Sequence, residues 1–254
     1  LLKQYSLLKQ TYPDIFQNFW LSQDRFNDMT KQVDIRSKDD WRLLEIACSY
    51  HDLGKMNLRF QKKVKAGQSF CKGEIPHALL SITMLPIDEL QKQYTKDQII
   101  ALIFAIKWHH ERNFSEIDEK HYEDEIEALK KEFASFDYSK LSFPIPPQEP
   151  AKVDSKYLTG NLSHRLSPNY EPKIYDEFVI LKGLLNRIDY AASGHYEIES
   201  KSRVCLSQNI LQEWHKKNPV ADWNELQKWT YDHRNESIVV VGQTGLGKTE
   251  SALR

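Results

Sequence analysis

The sequence predicts a mainly α-helical fold with a single short strand close to the C terminus. Three observations carry that expectation. Only nine of the 254 residues are glycine, apolar residues recur at helical spacing through most of the chain, and one valine-rich run reads as a buried strand. At 40% hydrophobic and 28% charged residues, the composition is that of a globular chain long enough to bury a sizeable core. No run approaches the roughly 18 apolar residues of a membrane span, and Leu1-Leu2-Lys3-Gln4 does not open a signal peptide. A net charge of −1 excludes holding a polyanion by bulk charge, so such a partner would need a local patch or a metal. Cys48, Cys71 and Cys205 share no CxxC spacing and form no even disulfide framework, which points to a reducing cytoplasm.

Residues 1 to about 36 read as one or two amphipathic helices, marked by Leu7, Leu8, Tyr12, Ile15, Phe16, Phe19 and Trp20. Ser37-Lys38-Asp39-Asp40 reads as the cap and first turn of the next helix, which Leu43, Leu44, Ile46, Ala47 and Tyr50 carry to His51-Asp52. Gly54 stands where a left-handed C-terminal cap belongs. After a loop through Gly67 and Gly73, Pro76 starts a helix that His77 opens and Ala78, Leu79, Leu80, Ile82 and Met84 follow. Asp97 to Trp108 is the most apolar helix and ends in His109-His110, whereas Glu116 to Phe136 is charged enough to be a solvated helix. The Pro-rich stretch from Phe143 to Pro150, with the polar segment to Pro172, reads as a surface loop. Ile174 to Ala192 is helical again, with Phe178, Leu181, Leu184, Leu185 and Ile188 on one face and Asp189 adjoining it. Ser193 to Asn218 reads as a connector with one short helix. From Pro219 the character changes, and Ser237-Ile238-Val239-Val240-Val241 is the expected strand. There are no internal repeats. A start other than Met and an end inside a helix lead us to expect a piece of a longer protein.

That strand runs into Gly242-Gln243-Thr244-Gly245-Leu246-Gly247-Lys248-Thr249, a match to GxxxxGK[ST] in its confirming context of strand before and helix after. Glycines at 242, 245 and 247 let backbone N–H groups face phosphates. Lys248 would reach the β and γ oxygens, and Thr249 would hold Mg²⁺. The chain stops five residues later, so this piece is not expected to hydrolyse ATP.

His51, Asp52, His77, His109, His110 and Asp189 form a second constellation, each at or near the end or start of an apolar helix. Singly, each histidine has a bland reading as a surface or satisfied core residue. Together they are hard to explain that way. Imidazole and carboxylate suit Mn, Fe, Ni, Co or Zn, and the carboxylates also admit Mg. Neighbouring helical residues project about 100° apart, so His51 and Asp52 would not share a helix face, though two metals side by side could use both. His121, His164, His195, His215 and His233 lack apolar anchorage and read as surface residues.

His51-Asp52 with Gly54-Lys55, then Phe60-Gln61, Pro76-His77, His109-His110 and Asp189 resembles the HD superfamily of metal-dependent phosphohydrolases. The His-His pair, followed by a strand and phosphate-binding loop, is similar to the CRISPR-associated type I nuclease-helicases. That resemblance implies an HD nuclease domain over residues 1–215. Residues 216–254 would be a linker and the truncated beginning of an α/β helicase domain, with Gln227 at the adenine-reading position. It further implies two divalent ions (Mn, Mg, Fe, Ni or Co) bridged by Asp52. His51 and Asp189 would complete one site, and His77, His109 and His110 the other. Asp52 and Lys55 would be catalytic, Lys55 by contacting a phosphate, and ATP with Mg would serve only the full-length parent. The implied substrate is single-stranded DNA exposed by an RNA-guided surveillance complex, with inhibitor proteins as further partners and no membrane. Lys62, Lys63 and Lys65 are candidate phosphate contacts. The family carries another histidine on an early helix. None precedes His51, so the first site is expected to be one ligand short, with that residue upstream of Leu1. Two alternatives stand beside this reading: a nucleotide or cyclic-nucleotide phosphohydrolase, with a closed pocket in place of a groove, and a non-catalytic HD binding module.

Overall fold

The computed structural model describes residues 1–23, 30–68, 73–110, 118–138, 141–153, 172–198, 206–234, 236 and 238–253. The chain divides into two compact units, Leu1–Glu199 and Ser200–Arg254. Cys71, Cys205, His164 and the polar segment 154–171 lie outside the described residues.

Among the described residues, the regular structure of the first unit is all helical: α1 (Leu2–Thr11), α2 (Ile15–Leu21), α3 (Thr30–Tyr50), a 3₁₀ turn (Leu53–Met56), α4 (Leu58–Lys65), α5 (His77–Ile82), α6 (Ile87–Gln91), α7 (Lys96–Lys107), α8 (Glu119–Ser135) and α9 (Pro172–Ser193). At its centre α7 packs lengthwise on α9, and both touch α3. The reason is compositional: α7 buries Ile99, Leu102, Ile103, Phe104 and Ile106, and α9 answers with Phe178, Leu181, Leu184, Leu185 and Ile188. Thr95 and Gln98 close a capping box that starts α7 where the apolar run begins. Fully burying such side chains contributes about 1.5–3 kcal/mol each, so this face dominates the stability of the unit.

Two expectations change here. Ser37–Asp40 is not a helix start, because α3 already begins at Thr30 and runs through it. The Asp40 carboxylate is fully buried and accepts a hydrogen bond from the Trp20 indole, a tertiary partner in place of a cap. The Pro-rich stretch is irregular as expected, but it is pinned to the core. Tyr50 donates its hydroxyl to the Ile145 carbonyl (2.9 Å), and the N–H groups of Gln148 and Ala151 donate to Met84 and Thr83.

The second unit contains α10 (Leu206–Lys217), α11 (Glu225–Asp232) and α12 (Lys248–Leu253). α10 straddles the expected boundary at 215/216 and lies wholly in this unit, its Trp214 ring 5.0 Å from Trp223. No strand forms among the described residues. Residues 238–243 are irregular, and Val239 and Val241 are about nine-tenths exposed. A lone strand has no sheet to satisfy its backbone. No helix among the described residues is long and apolar enough to cross a membrane.

Candidate metal centre

α3 ends at Tyr50, and the backbone turns at Asp52 (φ −107°, ψ 0°) into the 3₁₀ turn. His51 and Asp52 are therefore no longer held 100° apart, and their side chains converge, with Nε2 3.3 Å from Oδ2. Gly54 does not take the left-handed cap conformation, being absent from the glycines with positive φ. Its lack of a side chain serves a close approach, since a Cβ there would stand 2.1 Å from the His77 carbonyl oxygen and 2.9 Å from Leu80 Cβ. Ser81 fastens the same junction. Its Oγ accepts from the Gly54 N–H (2.9 Å) and donates to the His51 carbonyl (2.7 Å). Sequence reasoning passed over Ser81, although a lone polar residue within Ala78-Leu79-Leu80-Ser81-Ile82 was its signal.

All six histidine and aspartate candidates meet at this junction. Asp52, His77, His109 and His110 form one group, and His51, Asp52 and Asp189 another. In each, one potential ligand atom per residue lies within 4.8 Å of the others. Asp52 belongs to both. Its Oδ1 is 3.4 Å from His77 Nε2 and 3.8 Å from His109 Nε2, while its Oδ2 faces His51. Asp189, from α9, places Oδ1 3.6 Å from His51 Nε2 and Oδ2 3.7 Å from His110 Nε2. His121, His195, His215 and His233 belong to neither group.

The hydrogen bonds behind the ligand atoms fix which ring nitrogens face inward. His51 Nδ1 donates to the Cys48 carbonyl (3.1 Å) and His109 Nδ1 to the Ile106 carbonyl (2.6 Å), leaving both Nε2 lone pairs aimed at the centre. His77 Nε2 and His109 Nε2 stand 3.3 Å apart. No hydrogen bond satisfies His51 Nε2 or Asp52 Oδ1, and both atoms are shielded from solvent. Orphaned buried acceptors are costly, and converging ones fit a bound cation. The donor set, imidazole nitrogen with carboxylate oxygen, suits a divalent transition metal.

The electrostatics agree. Burial disfavours charge on Asp52, yet His51, His77 and Lys55 outweigh it and hold the carboxyl well below the usual range. Asp189 is lowered chiefly by His51. Burial pushes His109 down to about 3, against the pull of its bond to Ile106 and with help from the neighbouring histidines, and it lowers His110 too. Burial also works against a charge on His51, but Asp189 and Asp52 together push it up to about 9. The two carboxylates thus demand positive charge at that Nε2, which a proton or a metal ion supplies.

Lys55 Nζ lies 2.8 Å from Asp52 Oδ2, at the rim of the centre. Lys63 does not point freely to solvent as a phosphate contact would. It is paired with Glu74 at 2.5 Å, both side chains about 15% exposed. Lys62 and Lys65 are exposed. A larger cavity, about 540 Å³ between Ile82, Leu85, Ile99, Ile103 and Val153, holds no cluster of candidate ligands and lies apart from this chemistry.

In the second unit, Gly245 and Gly247 take positive φ (89° and 74°), as a phosphate loop requires. Lys248 Nζ donates to the Gly242 and Gln243 carbonyls (2.8 and 2.7 Å), curling the loop on itself. Gln227 caps α11 through its carbonyl oxygen, and its Nε2 donates to the Gly247 carbonyl (3.2 Å). Gly242 opens the same loop, and Thr249 lies in the first turn of α12 that follows it.

The chain is 25% identical over 241 residues to a protein of Methanocaldococcus jannaschii named as a CRISPR-associated nuclease/helicase Cas3. The match covers 80% of this chain and 32% of that protein, so the chain spans about a third of that relative's length. No solved structure matches. His51, Asp52, His77, His109 and His110 all fall within residues 14–167, which match the family described as "Cas3, HD domain", and on that match the chain belongs to the Cas3 HD-domain family.

Proposed function

We propose that the first unit is a metal-dependent DNA nuclease of CRISPR interference that hydrolyses phosphodiester bonds in single-stranded DNA with two divalent ions. The observation that carries this reading is the sharing of Asp52 between two ligand groups, since a carboxylate common to both can bridge two ions. His51 and Asp189 would complete one site, and His77, His109 and His110 the other. The ions, when bound, supply an activated water and neutralise charge on the phosphoryl oxygens.

The protein's own groups do the positioning. Backbone carbonyls take the Nδ1–H of His51 and of His109, so each turns Nε2 inward. His109 is neutral and ready as a ligand, whereas the proton that Asp189 and Asp52 draw to His51 Nε2 would be displaced by the ion. Lys55, at the rim and one carboxylate oxygen away from the centre, would donate to a phosphate oxygen of the bound strand. The group of His51, Asp52 and Asp189 offers fewer ligands than the other, leaving more room for water. In the second unit, the loop Gly242, Gly245, Gly247, Lys248 and Thr249, with Gln227 docked on it, would take the phosphates of ATP in a helicase domain. That motor would feed the strand delivered by an RNA-guided surveillance complex.

The test is Mn²⁺-dependent cleavage of circular single-stranded DNA beside hydrolysis of nucleotides and cyclic nucleotides. Nicking that disappears in Asp52→Ala supports the nuclease. Turnover of nucleotides without nicking would move the assignment to a small-molecule phosphohydrolase, and metal binding with neither activity would make it a binding module.

A further inference from the structure

A hollow of about 410 Å³ opens beside the metal centre, lined by Phe60, Lys63, Glu74, Pro76, His77, Ala78 and His110. Its size lies in the range of small-ligand sites, roughly 300–1,000 Å³. Two of its walls, His77 and His110, are also candidate metal ligands, so whatever fills it lies next to the reacting phosphate. Phe60 provides the aromatic surface. Its ring meets the His77 ring edge-on at 5.7 Å, with Lys63 Nζ 4.7 Å and Lys55 Nζ 6.0 Å from its centroid.

The charge in this hollow is balanced, and that decides what it accepts. The Lys63 ammonium is spent on the Glu74 carboxylate at 2.5 Å. A neutralised lysine is a poor phosphate site, whereas an aromatic ring backed by cations suits a flat, uncharged, polarizable group. The ring is also preset. The Asn57 side chain accepts from the Arg59 and Phe60 N–H groups and donates to Glu125 (2.7 Å), while Arg59 pairs with the same carboxylate. α4 is thereby pinned to α8, and Phe60 is held in place before any ligand arrives.

We propose that this hollow is a nucleobase subsite, in which Phe60 stacks the base next to the scissile phosphate and the Lys63–Glu74 pair keeps a second phosphate out. The inference rests on the nuclease reading and deepens it. Every base presents a π-face, so such a subsite adds affinity without sequence preference.

Two fluorescein-labelled probes separate the possibilities: a ten-residue thymidylate strand, and a strand of equal length with tetrahydrofuran abasic units in place of every base. Binding is measured by anisotropy with Ca²⁺ to suppress cleavage. The protein should bind the thymidylate strand roughly tenfold more tightly than the abasic one. Phe60→Ala should bring that ratio close to one while abasic binding is unchanged, which also shows that the variant is folded. Phe60→Tyr should keep the preference and Phe60→Leu should lose it, a pair that decides the matter if the alanine variant does not fold. A ratio unchanged in Phe60→Ala or Phe60→Leu overturns the subsite and leaves the nuclease standing. Binding of neither strand by the wild type overturns both.

Discussion

Gly54 and the carbonyl of His77 are packed so closely that a Cβ on Gly54 would stand 2.1 Å from that oxygen. The contact joins the turn that carries Asp52 to the helix that carries His77, and it sets the 3.4 Å between their ligand atoms. Gly54→Ala would have to push α5 away. Overpacking of this kind costs about 1–3 kcal/mol, and here the displaced element bears a candidate ligand. The variant should unfold at lower denaturant and lose metal affinity out of proportion to its lost stability. Chemical denaturation with and without Mn²⁺ reads both quantities.

The two ligand groups are unequal, with Asp52, His77, His109 and His110 on one side and His51, Asp52 and Asp189 on the other. Calorimetric titration with Mn²⁺ should therefore show a tight phase and a weak phase. His109→Ala should weaken the tight phase by roughly tenfold or more, since even partners behind the ligands are worth 10–100-fold in affinity. His51→Ala should remove the weak phase and leave the tight one. A single phase lost equally in both variants would mean one ion at a shared site.

The candidate cluster was legible because most of its members are tied to helix boundaries that the sequence announces: Pro76 before His77, and the apolar run of α7 before His109-His110. The packing that brings the cluster together was not. Gly54 looked like a cap because a glycine after a helix usually is one, and no local pattern tells that α5 will press against it. The tautomer-fixing carbonyls of Cys48 and Ile106 belong to the last turns of helices, where free carbonyls are expected but their partners are not named by sequence. Asp40 read as a capping residue because its tertiary partners, Trp20 and Glu177, are distant in the chain. The strand before the phosphate loop has a strand's composition and no sheet to join, so pattern and structure part there.

Ser81 is buried and makes both hydrogen bonds that clamp the turn to α5. Ser81→Ala strands the Gly54 N–H and the His51 carbonyl. Leaving buried polar groups unsatisfied costs about 1–3 kcal/mol each. The variant should melt earlier and bind Mn²⁺ more weakly, because His51 and Asp52 hang from the loosened segment. Ser81→Cys, of similar size, should restore packing and recover only part of the affinity, a difference that thermal melts and metal titration resolve.

Asp40 and Glu177 form a buried carboxyl pair, far along α3 and α9 from the candidate metal ligands. Burial pushes Asp40 up to about 6, against the opposing pull of Trp20 and Arg36. Burial, followed by the Asp40 charge, raises Glu177 well above its usual value despite the Arg36 ion pair at 2.6 Å. A raised folded-state value means that the native protein binds protons the unfolded chain has already released. Stability from Asp40 is then fully present below about pH 4, where the unfolded carboxyl also protonates, and is lost as pH rises through about 6. Glu177 extends the same loss to higher pH. Asp40→Asn keeps an acceptor for the Trp20 indole and removes the charge that Glu177 opposes. Its stability relative to wild type should therefore grow from pH 4 to pH 8. Denaturation midpoints of the two metal-free proteins across that range measure it, and parallel curves would show that Asp40 does not titrate at a raised value in the folded protein.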